Sequence, residues 1–335
     1  MKIAVVILNY NGKNWLDQFL QTVIDKSPEA EVIVVDNSST DDSVSFLTDK
    51  FSNLRLIQND SNGGFAGGYN EGLKQITADY YILLNSDIEV SDNWIMPVIN
   101  SIESIPNAVG GQPKILAYNN KKHFEHAGAS GGFIDKLGYP FCRGRIFTET
   151  EEDLGQYDTM KEVFWATGAC LFIKADKYWE IGGLDDAFFA HMEEIDMCWR
   201  LKNKGYKLIC EPKSHVYHVG GGTLDYRNPR KTYLNFRNSL YAIHKNKDGY
   251  LFPVIFQRLL LDGVAGAKFL FSGDFKHITS IVKAHFHYYR HIGTLNKQRK
   301  KIVKTNFKTL TGVYHKSIVF KHYLNKVKEF SKLKF

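Results

Sequence analysis

The stretches KIAVVILNYNG (residues 2–12) and EVIVVDNSSTDDS (residues 31–43) decide the fold. Each is a short β-branched and aliphatic run that stops at polar residues, Asn9-Tyr10-Asn11-Gly12 in the first and Asp36-Asn37-Ser38-Ser39 in the second. Neither run alternates apolar with polar, so both faces of each strand are expected to be covered, as in a parallel sheet. Residues 54–58 and 80–84 repeat the pattern, and helical stretches at 15–24, 41–51 and 66–76 fall between the strands. That order predicts an α/β core, mostly parallel and flanked by helices, with right-handed crossovers. Thr40 with Ser43, or Ser39 with Asp42, offers capping chemistry to the second helix. Ligands of such sheets gather outside the carboxyl ends of the strands. Here all four ends are polar: the third runs into NDSNGGFAGG (residues 59–68) and the fourth into Asn85-Ser86-Asp87.

Residues 119–159 lose periodicity and read as loop or hairpin. A helix is expected from 193 to 204, stopped by Gly205, with Ile195, Cys198 and Trp199 as its buried stripe and Glu193 and Asp196 sharing another face. The 335 residues carry a net charge of +7, which is unevenly spread. Residues 1–230 hold 22 Lys and Arg against 32 Asp and Glu; residues 231–335 hold 21 against 4, a net of +17. A main unit at 1–230 and a basic helical region at 231–335 follow. The composition, 44% apolar and 24% charged, excludes disorder and collagen-like structure. Cys142, Cys170, Cys198 and Cys210 form no C-x-x-C pair, which argues against a disulfide framework or a cysteine-built zinc site. The six-residue apolar run before Asn9 is too short for a signal-peptide core, so a cytoplasmic location is expected.

The turn after the first strand lacks the G-x-G-x-x-G of a dinucleotide site, and the glycines at 63–68 lack the lysine of a phosphate-binding P-loop. Instead the segments VVILNYNG, VVDNSSTDDS, NGGFAGGYN, LLNSDIEV, WATGACLFI, HMEEIDMCWRL and VYHVGGGT, in this order across residues 5–223, resemble glycosyltransferase family 2. The resemblance is to its GT-A fold and bacterial rhamnosyltransferase-like subgroup, and it says little about the basic region. It implies an inverting, metal-dependent enzyme that moves a sugar from a UDP- or dTDP-sugar, dTDP-rhamnose among them, to a saccharide hydroxyl.

The resemblance places the donor against Asn9, Tyr10, Asn11, Asp36, Asn37, Gly64, Phe65, Asn70, Asn85 and Ser86. Asp36 would accept a hydrogen bond from uracil or thymine; the same residue also suits an Asx turn. The family's D-x-D metal motif is Asn85-Ser86-Asp87 here, so Asp87 is left as the carboxylate for Mg²⁺ or Mn²⁺ on the diphosphate. His218 is matched to a histidine that completes the metal shell, and serves equally as a core residue. The base that takes the acceptor's proton falls on Glu194 by alignment of motifs. Glu193 and Asp196 remain open, because acids at a helix start also stabilise it electrostatically. Trp165, Thr167 and Gly168 are expected at the acceptor, with the indole offering a face to a sugar ring. Arg227, Arg230 and Lys231 suit phosphate oxygens or a solvated turn.

The stretch 251–271 places Phe252, Ile255, Phe256, Leu259, Leu260, Val264 and Ala267 on one helical face and Arg258, Asp262 and Lys268 on the other. Three charges argue against a membrane span and for an interfacial helix. With the +17 charge this suggests docking to an anionic inner leaflet and a lipid-linked saccharide acceptor in surface polysaccharide synthesis. A helical subdomain with a solvated basic face is the simpler alternative. Two other classes share parts of this pattern. A sugar-nucleotide nucleotidyltransferase would carry a basic, Gly-rich triphosphate loop near the first strand. An RNA-binding module is prompted by the basic region, but the acidic body makes nucleic acid an unexpected partner.

Overall fold

In the computed structural model, which describes residues 1–220 and 228–335, the four apolar runs are strands β1 (Ile3–Asn9), β2 (Glu31–Asp36), β3 (Arg55–Gln58) and β4 (Tyr80–Asn85). They are parallel, in the order β3-β2-β1-β4. β1 is covered on both sides, because Ala4 and Val6 join one apolar cluster while Ile3, Val5 and Ile7 join another. Its register with its neighbours sets Asn9 beside Asp36 and Leu8 beside Asn85, so three strands end at one level. Helices α1 (Lys13–Asp25), α2 (Ser43–Lys50) and α3 (Gly64–Leu73) make the crossovers. At the start of α2 neither expected cap pair acts; the Asp41 carboxylate accepts from the Ser43 N–H at 3.1 Å.

Beyond β4 the sheet becomes mixed. β5 (Ile88–Val90), α4 (Met96–Ser104), β6 (Ala108–Ala117) and β7 (Asn120–Phe124) follow. The aperiodic stretch, which includes β7, holds four further short strands, β8 (Gly132–Asp135), β9 (Pro140–Cys142), β10 (Arg145–Ile146) and β11 (Glu149–Thr150). Then come β12 (Lys161–Val163), β13 (Cys170–Lys174) and β14 (Lys207–His218), and much later β15 (Val313–Tyr314). β13 is antiparallel between β4 and β6, and β14 continues the sheet parallel to β6. A second sheet, β11-β10-β9-β8-β15, stands apart from the first.

The remaining helices are α5 (Ala175–Glu180), α6 (Glu193–Asn203), α7 (Pro229–Asn246), α8 (Phe252–Phe271), α9 (Phe275–Lys301) and α10 (Ile318–Tyr323). α6 is not the two-faced helix its sequence suggests. Asp196, Arg200, Lys202 and Asn203 are buried along with its apolar stripe. The basic region covers Asp196 and Asn203, while Arg200 donates to the Ile181 and Gly183 carbonyls and Lys202 pairs with Glu162. α7 packs on α6, Phe307 stacks on Trp199 at 4.9 Å, and Asn203 donates to the Asn246 carbonyl. β15 and the Ile318 N–H, which donates to Asp135 at 2.9 Å, tie the C-terminal residues to β8. All four cysteines are buried and unbridged.

Candidate active site

A polar residue at the end of a buried strand leaves the sheet with unused hydrogen-bonding capacity, and the rim formed by β1, β2 and β4 collects several. Asp36 uses one carboxylate oxygen to accept from the Asn9 amide at 2.9 Å and the other to accept from the Ser39 N–H at 2.9 Å. The turn role and the rim position therefore hold together, and each oxygen keeps a further lone pair. Asn9 Oδ1 is buried with no protein partner. Asn11, in a left-handed conformation, accepts from the Thr40 N–H at 2.7 Å, and Tyr10 beside it is exposed. Asn37 donates to the Gly64 carbonyl at 2.9 Å and so ties the glycine-rich turn to β2. Gly64 is itself left-handed (φ 72°), and a Cβ there would lie 2.4 Å from the Phe189 carbonyl oxygen. Only glycine fits this approach.

Across the rim, Asp87 Oδ1 is 3.1 Å from His218 Nε2, and His218 Nδ1 is 3.0 Å from Glu125 Oε2. All three side chains are buried. Burial opposes charge on His218, but the hydrogen bonds to Asp87 and Glu125 outweigh it and push its pKa up to about 10. Adjacent ligands of an octahedral cation with bonds of about 2.1 Å lie about 3 Å apart, close to the Asp87–His218 separation. A carboxylate on the far nitrogen, the place of Glu125, is the usual support of a metal-binding histidine. Once the proton between Asp87 and Nε2 has left, the pair fits a hard divalent cation that takes its remaining oxygens from elsewhere. Among the described residues no group of three or more His, Cys, Asp or Glu side chains is disposed to hold one alone. Asn85 Nδ2 lies 3.4 Å from His218, and Ser86 is across from Gly12, where a Cβ would be 3.5 Å from its hydroxyl.

The acids of α6 have three different fates. Asp196 is fully buried, paired with Arg200 at 2.9 Å and Lys245 at 2.8 Å, and accepts from Asn246 at 2.7 Å. Burial raises its pKa, but these partners overcome that and hold it below the usual carboxylate range. The reading of Asp196 as a base is therefore corrected to that of a strut between α6 and α7. Glu193 is buried with one oxygen unpartnered, and burial with the neighbouring Glu194 charge pushes its pKa well up. Glu194 is half-buried and has an unpartnered oxygen; burial, against its helix-start N–H groups, raises its pKa to about 7. A base near neutrality is suited to proton abstraction.

Glu194 sits where the two sides of the rim meet. A Cβ on Gly168 would be 3.8 Å from Glu194 Cβ and 3.1 Å from the Phe65 ring. The next residue, Ala169, accepts from the Asn85 N–H at 2.9 Å. Contacts run from Asp36 through Asn37, Gly64 and Phe65 to Gly168, where they branch, to Glu194 on one arm and through Ala169 to Asn85, His218 and Asp87 on the other. The segment that leads into Glu194 is strained: Phe189, His191 and Met192 all have positive φ. Asn238 of α7 holds it, donating to the carbonyls of Phe188, Ala190 and His191 at 2.9, 2.9 and 2.7 Å.

Other expectations are corrected. Trp165 is 4% exposed, its indole N–H donates to the Phe133 carbonyl at 2.9 Å, and its ring covers Gly132. It is a core residue with no face for a sugar. Thr167 is buried and accepts from the Ala169 N–H at 3.2 Å, shaping the turn beneath Gly168. Asn70 is consumed as well: it donates to the Leu184 carbonyl and Asp186 and accepts from Tyr178 and the Leu184 N–H. Arg230 stacks over Phe189, its guanidinium 4.8 Å from the ring centre. Lys231 acts on the rim at a distance: its charge, after burial, helps lower the pKa of His191 to about 4. Arg227 lies outside the described residues. Glu125 and Asn238 went unseen in the sequence, since neither falls in a recognisable motif. Two surface clefts, one lined by Asn296, Arg299, Lys300 and Lys304 and one by Lys114, Asp153 and their neighbours, contain no residue of the rim.

Residues 4–182 match the sequence model described as Glycosyl transferase family 2. The chain is 23% identical, over 64% of its length and 75% of the relative's, to an N-acetylglucosaminyl-diphospho-decaprenol L-rhamnosyltransferase of Mycobacterium tuberculosis. It is 22% identical, over 85% and 90%, to the low-salt glycan biosynthesis hexosyltransferase Agl10 of Haloferax volcanii. The fold is similar to that of GalNAc-T7 solved with UDP, GalNAc and Mn²⁺ (TM-score 0.58, 17% identity), covering 73% of this chain but only 48% of that one. It is also similar to the mannosyltransferase PcManGT of Pyrobaculum calidifontis, solved with GDP-Man and Mn²⁺ (TM-score 0.51, 13% identity, 86% and 87% covered).

Proposed function

We propose that this chain, which belongs to glycosyl transferase family 2, transfers a sugar with inversion from a UDP- or dTDP-sugar to a hydroxyl of a lipid-linked saccharide. The observation that carries the reading is the placement of Glu194, with its raised pKa, on the same branched set of contacts as Asp36 and Asp87. Asp36 and the free Oδ1 of Asn9 offer an acceptor pair to the polar edge of a pyrimidine base. Asp87 and His218 would hold Mg²⁺ or Mn²⁺, which when bound neutralises the charge that develops on the departing diphosphate. Glu194 takes the proton of the acceptor hydroxyl as its oxygen bonds to the anomeric carbon, and the nucleoside diphosphate leaves from the opposite face. No bond to the enzyme forms. The rhamnosyltransferase relative makes dTDP-rhamnose the first donor to try, and its diphospho-decaprenol-linked substrate supports a lipid-linked acceptor in polysaccharide assembly. A membrane-borne acceptor and the +17 region together support a location at the cytoplasmic face of an anionic membrane.

The test is thermal unfolding with UDP-, dTDP- and GDP-sugars, each with Mn²⁺, for the native protein, Asp36→Ala and Asp87→Ala. A UDP- or dTDP-sugar should raise the midpoint, Asp36→Ala should remove the rise, and Asp87→Ala should remove its dependence on the metal. Stabilisation by GDP-sugars alone would overturn the donor assignment. Release of pyrophosphate in place of a nucleoside diphosphate would overturn the reaction.

A further inference from the structure

α8 has its polarity reversed relative to a helix that packs on a core and faces water. Its inward residues include Arg258 and Asp262, 2% and 1% exposed. The Arg258 guanidinium lies 3.6 Å from the centre of the Tyr139 ring and donates to the Leu137 carbonyl, and Asp262 is 3.0 Å from His285 Nε2 of α9. The expected division into one face with Ile255 and another with Arg258 and Asp262 is thus corrected: Ile255 is buried with these two charges. The outward residues are Phe252, Phe256, Leu260, Val264 and Phe271, at helical spacing and each at least half exposed. At the tip of the α8–α9 hairpin Phe271 is 90% exposed and Phe275 is exposed beside it; on the return, Val282, Phe286 and Tyr289 are exposed in turn.

A stripe of this kind needs something to cover it, and the charges along it say what. Lys268, Lys276, Lys283 and Arg290 are exposed on the same hairpin, and none has a carboxylate partner among the described residues. The one exposed acid is Asp274 at the tip. A second copy of the chain would hide the apolar residues but bring these cations together across the interface. A polyanion such as RNA would suit the cations and could stack on the aromatic rings, but would leave Leu260, Val264 and Val282 in water. An anionic lipid surface suits both. No helix among the described residues is long and apolar enough to cross a membrane, so the hairpin would lie in the headgroup layer.

We propose that the α8–α9 hairpin is a monotopic anchor that sinks its outward stripe into an anionic bilayer, Phe271 and Phe275 leading. This deepens the reading of a membrane-borne acceptor and rests on it for its purpose. Its test needs no turnover. The full chain is sedimented with vesicles of phosphatidylethanolamine and phosphatidylglycerol. The native protein should bind, and Phe256→Glu/Leu260→Glu/Phe271→Glu should weaken binding by about tenfold or more, since each lost apolar burial alone is worth that factor. In a second variant, Phe271→Trp, fluorescence should be quenched by brominated lipid tails beyond the native background. Equal sedimentation of triple variant and native protein, or an unquenched Trp, would overturn the anchor. So would a native dimer, seen without vesicles, that the triple variant dissolves. Turnover on a water-soluble acceptor should be the same in both proteins. If it is absent from both while vesicle binding persists, the chemical reading fails and the anchor stands.

Discussion

Replacing Glu194 by Gln should abolish turnover and at the same time make the protein more stable. Burial raises the Glu194 pKa to about 7 from an ordinary 4.5, a shift of about 2.5 units worth about 3 kcal/mol at about 1.4 kcal/mol each. Because the side chain is half-buried, about 2 kcal/mol is the figure to expect after solvent screening. The sign follows from linkage. Below pH 4.5 the group is protonated in folded and unfolded chains alike and costs nothing. As pH rises toward 7 the unfolded chain releases its proton first, and stability falls; above 7 the full penalty applies. Glutamine, the neutral isostere, carries no such penalty. Urea unfolding at pH 5 should therefore find native and variant within about 1 kcal/mol, whereas at pH 8 the variant should lead by about 2 kcal/mol. In the native enzyme kcat/KM should climb through about pH 7 as the base ionises, and the variant should lose about 10²- to 10⁴-fold in kcat. A variant no more stable than the native protein at pH 8 refutes the argument from burial. Unimpaired turnover refutes the assignment and passes the role to Glu193.

Asn238→Ala leaves the carbonyls of Phe188, Ala190 and His191 without their shared donor. It should cost about 2 to 4 kcal/mol in urea unfolding and lower kcat far more than it weakens donor binding by calorimetry. Asp196→Asn strips Lys245 and Arg200 of a buried carboxylate and should cost about 3 to 5 kcal/mol. In the native protein this ion-pair contribution is complete above the ordinary carboxylate range and is lost as pH falls through the lowered folded pKa, which acid titration followed by circular dichroism would register. Trp165→Phe removes the bond to the Phe133 carbonyl and should cost about 1 to 3 kcal/mol while leaving the acceptor KM unchanged. A raised KM would return the indole to the acceptor site.

The strands of the parallel half were legible because burial on both faces writes itself as unbroken apolar runs, and their polar ends marked the rim. The sheet beyond β4 was harder to read. β13 owes its place to antiparallel pairing with β4, about ninety residues earlier, and β15 is a two-residue strand whose partner, β8, is remote in sequence. Within the site, motif order pointed to Asp36, Asp87, His218 and Glu194, but burial separated the three acids of α6. Asp196 is excluded by Lys245, which comes from a helix nearly fifty residues later. Periodicity revealed the stripe on α8 without revealing which way it faced, since a helical wheel carries no sign for inside and outside. Only Tyr139 and His285, which receive the polar side, settle that.

The carbonyl of Phe189 accepts from the N–H groups of Phe65 and Ala66 at 2.6 and 3.2 Å. One peptide group thus serves as a hinge pin common to the start of α3, on the nucleotide side, and to the bent segment that precedes Glu194. Neither can shift by itself. A displacement of the Gly64 turn would strain the same two hydrogen bonds that hold the left-handed segment leading into Glu194.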